Sequence, residues 1–172
     1  MQFNLQQSID LLSRTPATLE SILSGLPDEW LHTDEGPDTW SPYTVLGHLI
    51  HGEKTDWIPR SRIILSDDPD KRFKPFDRFA QLTTEQASIE DKLAEFRQLR
   101  LANMAELRSW NLTEADLEKE GIHPEFGAIT LGQMLSTWPV HDLGHIAQIS
   151  RVMAKQYKEA IGPWIAYLRI VR

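Results

Sequence analysis

The sequence predicts an all-α protein, a four-helix bundle built as one domain over residues 1–172. Three observations predict it. Apolar residues recur at helical spacing through four long segments. Strand-like alternation is not sustained anywhere. Proline and cap-forming residues stand where those segments begin.

Phe3 to about Ser13 carries apolar residues at helical spacing. "RTPATLESILSGL" then starts a new helix, with Thr15 as cap and Pro16 in the first turn, ending near Gly25. "PDEWLHTDEGPDTW" is rich in Pro, Gly and Asp and reads as a loop. Ser41 and Pro42 open a long helix through "WSPYTVLGHLIHGEKTDWIPRSRIIL". Pro59 removes a hydrogen bond to the Thr55 carbonyl and should kink or break it. "SDDPDKRFKPFDRFAQL" is a connection.

The next helix spans "TTEQASIEDKLAEFRQLRLANMAELRSW", with Leu93, Phe96, Leu99, Met104 and Leu107 as its apolar stripe. "NLTEADLEKEGIHPEFGAI" reads as a connection with room for one helical turn. Thr130 caps the last long helix, which runs to about Tyr157 on a stripe of Leu131, Met134, Leu135, Trp138, Ile149 and Val152. A short final helix is expected after Pro163. Trp40, Trp57, Trp138 and Trp164 read first as core or interface residues, some of which could line a pocket.

Composition narrows the function classes. With 41% hydrophobic and 25% charged residues, the chain is an ordinary globular protein. No run of 18 apolar residues is present, so no membrane span is expected. "MQFNLQQSID" has no signal-peptide pattern, and cysteine is absent, which excludes disulfides and a cysteine nucleophile. These features fit a cytoplasmic location. A net charge of −7 with scattered basic residues argues against a nucleic-acid partner.

"WPVHDLGHIAQ" holds His141 and His145 one helical turn apart. Each residue turns about 100°, so the two imidazoles lie within roughly 40° of one line, with Met134, Trp138, Gln148 and Val152 nearby. That is the core-facing side. In "VLGHLIHGE", His48 lies beside the Val45 and Leu49 direction, and Gly52 one turn on leaves space next to it. His51 points away and reads as a rim residue.

Three imidazoles from two core-facing helices suit a divalent metal and leave a coordination position open. The alternative is core histidines satisfied by carbonyls or carboxylates. The likeness to the protease motif H-E-x-x-H is superficial. Asp142 replaces the glutamate, is one methylene shorter, and points about 100° from His141. Asp142 reads as a group behind the ligands or as a partner for an arginine or a loop amide. Glu53 and Asp56 read as ion pairs or solvated charges, or as a base near the metal. Gln148 either orients a ligand or satisfies a buried carbonyl.

"WSPYTVLGHLIHGEKTDW", "GIHPEFGAITLGQML" and "HDLGHIAQISRVMAKQY" with "IGPW" resemble the DinB-like superfamily from about Leu11 to Trp164. The resemblance implies a four-helix bundle and a metal held by His48, His141 and His145. It further implies zinc or nickel as the ion and a homodimer. It implies a small-molecule substrate; some relatives are thiol-dependent transferases or isomerases that use a low-molecular-weight thiol such as bacillithiol or mycothiol, and most have no known activity.

Two features depart from the pattern. Pro139 precedes the ligand pair and should bend the helix there, and His51 adds a fourth imidazole nearby. Three functions follow as expectations. The chain is a metal-dependent transferase or hydrolase, with His51, Glu53, Asp56, Asp142 or Gln148 in supporting roles. Or it is a bundle in which the metal is structural. Or it is a metal-free interaction bundle.

Overall fold

The computed structural model describes residues 2–83 and 87–172. Its helices are α1 (Leu5–Leu12), α2 (Thr15–Leu23), α3 (Asp28–His32), α4 (Pro42–Thr55), α5 (Trp57–Leu65), α6 (Ile89–Ser109), α7 (Glu114–Leu117) and α8 (Leu131–Gln156). An antiparallel hairpin, β1 (Glu120–His123) and β2 (Gly127–Thr130), precedes α8. The four layers of the bundle are α1 with α2, α4 with α5, α6, and α8. No described helix is long and apolar enough to cross a membrane.

Local chemistry sets most boundaries. Ser41 accepts from the Thr44 amide at 3.3 Å, and Pro42 occupies the first turn of α4. Thr130 and Gln133 form a capping box at the start of α8. The apolar stripe expected for α8 is buried throughout. Pro139 lies inside α8 without interrupting it.

Several expectations are corrected. The long second helix breaks at Asp56, not at Pro59 (φ −106°, ψ −77° at Asp56). Pro59 then falls in the first turn of α5, where its missing N–H costs nothing. Thr15 does not cap α2, because its hydroxyl donates instead to Asp142 at 2.7 Å. The segment read as a loop after Gly25 contains α3. The helix expected from Thr83 begins at Ile89, capped by Ser88, and residues 84–86 lie outside the described residues. The C-terminal helix is two 3-10 turns, Gly162–Ala166 and Arg169–Val171, and Trp164 is exposed.

The hairpin was not expected at all. Gly127 turns it in the left-handed region (φ 73°). Segment 71–73 joins its edge: Phe73 N–H donates to the Ile122 carbonyl and Ile122 N–H to the Lys71 carbonyl, both at 2.9 Å. Gly121 admits this contact, since a Cβ there would lie 2.5 Å from Phe73 Cζ.

At the centre is a buried charge network. Arg100 of α6 donates from Nη2 and Nε to Glu53 of α4 (2.7 and 3.1 Å), and from Nη1 to Asp142 of α8 (2.7 Å) and the Leu12 carbonyl of α1 (2.8 Å). Asn103 and the Trp138 indole N–H also donate to Glu53. The guanidinium lies over the rings of Phe96 and Trp138, one from each of the two apolar clusters. Removing one partner of such a pair strands the other charge in a dry site, at a cost of about 3–5 kcal/mol. Arg100→Met is therefore expected to lower unfolding free energy in urea by that amount. A loss below about 1 kcal/mol, the size of a surface pair, would contradict the network's role.

Candidate metal centre

Three histidines converge on one point. His48 leaves the middle of α4, while His141 and His145 leave successive turns of α8. His141 Nε2 lies 3.2 Å from His48 Nε2 and 3.1 Å from His145 Nε2. Among the described residues these are the only three His, Asp or Glu side chains grouped closely enough to hold one ion. Bonds of about 2.0–2.1 Å to one ion place neighbouring donor atoms roughly 3 Å apart, so the three nitrogens fit a divalent cation without rearrangement.

Their electrostatics agree. Burial first, then repulsion from the other two histidines, lowers the His48 pKa to about 3. Burial first, then His145 and Arg100, lowers His141 to about 3. Burial also lowers His145, opposed by Gln148. All three are neutral at pH 7, the form that binds metal. Gln148 Oε1 can only accept, so the 2.8 Å contact makes His145 Nδ1 the donor and leaves a lone pair on Nε2. Nδ1 of His48 and of His141 are buried without a protein partner among the described residues.

The site opens into a cavity of about 800 Å³. Trp40 and Phe76 pack on His48 with ring centroids at 4.9 and 5.4 Å, and Trp57 meets His141 edge-on at 5.2 Å. The space beside Gly52 is filled by the Trp57 indole, whose Nε1 lies 3.5 Å from where a Cβ would be.

The other candidates separate. Gln148 orients His145. Glu53 and Asp142 are committed to Arg100. Asp56 lines the cavity and pairs with Arg60 at 2.6 Å, and burial raises its pKa against the pull of Arg60. His51 is not part of the converging set, being half-buried against Phe76 at 5.0 Å. Sequence reasoning missed His123, Arg78 and Phe126, which also line the cavity. The only signal for His123 and Phe126 was "HPEFG", a turn-like string inside a segment read as a connection, and Arg78 lay in the upstream connection "SDDPDKRFKPFDRFAQL".

A helical bundle that gathers three imidazoles beneath an aromatic cavity is the class that fold and site define. The family model of the DinB superfamily matches residues 11–149, and the chain belongs to that superfamily. It is 25% identical over 154 residues to a protein of Oceanobacillus iheyensis provisionally named a metal-dependent hydrolase, covering 88% of this chain and 87% of that one. Its fold matches YfiT from Bacillus subtilis, described as a probable metal-dependent hydrolase with an unusual four-helix bundle topology. That match has a TM-score of 0.75 at 23% identity, covering 90% of this chain and 87% of YfiT.

The depressed histidines imply a pH dependence. In the unfolded chain each takes up a proton near pH 6.5, while in the fold His48 and His141 resist until about 3. Their contribution to stability is present above pH 6.5 and is lost as pH falls toward 3. The melting temperature of metal-free protein should therefore fall between pH 7 and pH 5, and less steeply in His141→Gln. Equal slopes in the two proteins would refute this assignment.

Proposed function

We propose that the chain is a divalent-metal-dependent hydrolase acting on a small molecule bound in the aromatic cavity, with His48, His141 and His145 holding the ion. The observation that carries this reading is the convergence of three neutral Nε2 atoms at 3.1–3.2 Å, open on one side to the cavity. Neutral imidazole donors suit zinc or nickel. Such an ion supplies Lewis acidity, which makes a weak oxygen or sulfur nucleophile effective near neutral pH.

The chain's own groups do the rest. Gln148 fixes the His145 tautomer, so that its Nε2 lone pair faces the other two histidines. Trp40, Trp57 and Phe76 exclude water from around them. Asp56, paired with Arg60, is a carboxyl group in the cavity wall suited to accept a proton, because burial raises its pKa; Glu53 and Asp142 are held by Arg100 outside that wall. Three donors with His51 outside the set favour an open site over a closed structural one.

The cavity's size supports a second reading, transfer of a group to a thiol. About 800 Å³ accommodates a cosubstrate beside the substrate, and a chain without cysteine must take its thiol from outside.

Protein purified without a histidine tag should take up about one zinc or nickel ion per chain, as one such site requires. His141→Ala should abolish uptake, and Gln148→Ala should weaken it roughly 10–100-fold. Zinc-loaded wild type should hydrolyse 4-nitrophenyl acetate, and Asp56→Asn should lower kcat while retaining the metal. Failure of wild type to bind either metal would overturn the proposal. Hydrolysis unchanged in His141→Ala would place the activity elsewhere.

A further inference from the structure

The cavity has a second polar end. His123 lies at the tip of the hairpin, away from the three converging histidines, yet lines the same cavity. Its Nδ1 accepts from the amides of Glu125 and Phe126 at 3.2 and 3.3 Å. Two backbone donors on one nitrogen require a lone pair there. The neutral ring must then carry its proton on Nε2.

The ring is held as well as its tautomer. Phe126 stacks on it at 4.5 Å with planes 12° apart, and Phe73 meets it edge-on at 6.4 Å. Burial first, and then the Arg60 guanidinium, keep its pKa below the ordinary histidine value, so the ring is neutral at pH 7. No protein group accepts from Nε2 among the described residues. His123 is therefore a fixed donor without a protein acceptor, in the wall of a cavity whose other end is the candidate metal centre.

One wall of the cavity runs along α8. Gln133, Thr137, His141 and His145 all line the cavity along one helix face, with Gln133 next to the hairpin that leads into α8. Gln133 to His141 is about 12 Å at 1.5 Å per residue. Trp57, Ile129 and Met134 add apolar surface to the same cavity, beside the Asp56–Arg60 pair.

We propose that His123 is a substrate-recognition residue: its Nε2–H donates to an oxygen acceptor at the far end of an elongated, mainly apolar molecule whose reacting end lies at His48, His141 and His145. The substrate class is then a molecule with two oxygen-bearing ends joined by an apolar segment. This rests on the proposed metal-dependent reading of the three histidines.

The test compares two hydroxamates on the zinc-loaded full chain by calorimetry. Acetohydroxamate has a metal-binding head only, and suberic acid monohydroxamate adds an apolar chain and a distal carboxylate. His123→Asn keeps an acceptor for the hairpin-tip amides and removes the Nε2 donor. His123→Gln can restore a donor at that reach. Wild type should bind the long ligand at least about tenfold more tightly than the short one, the size of one hydrogen bond to a charged acceptor. His123→Asn should lose most of that ratio with zinc content and acetohydroxamate affinity unchanged, and His123→Gln should regain part of it.

A ratio independent of residue 123, with zinc bound throughout, overturns this proposal and leaves the metal reading intact. Absence of zinc in wild type overturns both. The tautomer is tested without any variant or metal. Long-range nitrogen–proton spectra of the wild type should show a protonated Nε2 and an unprotonated Nδ1 at His123, and the reverse overturns the proposal even if a variant fails to fold.

Discussion

The Arg100 guanidinium is the constraint on which the rest of the structure depends. Its donors run to Leu12, Glu53 and Asp142, so one side chain ties α1, α4 and α8 to α6. It lies between Phe96 and Trp138, with 1% of its side chain exposed, so no water can replace a missing partner. Such a network does not add much net stability over an apolar core, since desolvation offsets most of the Coulomb gain. What it supplies is a single permitted arrangement. Glu53 must face α6, Asp142 must face α6 and α2, and any sliding of α4 or α8 would leave a charge unpaired.

That register is what brings the histidines together. Asp142 adjoins His141 in sequence and points about 100° away, so fixing Asp142 toward Arg100 turns His141 aside from α6 and toward the cavity. Glu53 does the same for α4, five residues beyond His48. The two anions share one cation, which leaves the network with a net negative charge behind the three imidazoles. Asp142 favours positive charge at His145, while Arg100 opposes it at His141. Thus the polar groups divide the labour by direction. Those behind the helices set position, and those facing the cavity, Asp56, Gln148 and His123, meet whatever binds there.

The parts of this that were legible in the sequence are those governed by local geometry. The spacing of His141 and His145, the direction of His48, the caps at Ser41 and Thr130, and the buried stripe of α8 all follow from the helical turn and from nearest-neighbour chemistry. Asp142 as an arginine's partner was legible as a direction, without the arginine. What was hidden depends on contacts distant in sequence. Thr15 looked like a cap, and only the fold shows that Asp142 takes its hydroxyl. Pro59 looked like the break, yet the chain turns at Asp56 so that the proline enters a helix start. The hairpin had too few alternating residues to register, because segment 71–73 and Phe73 complete its packing from far upstream. His123 was invisible as a cavity residue for the same reason.

The central claim is that this backbone presents three imidazole nitrogens, already converged, to one divalent ion. Anomalous diffraction from crystals of zinc-loaded protein tests it most directly. The account predicts a strong peak within bonding distance of Nε2 of His48, His141 and His145 together, with the side chains of Glu53 and Asp142 still on Arg100. A peak that engages only the two histidines of α8, or that draws in Asp142 at the expense of Arg100, would contradict it.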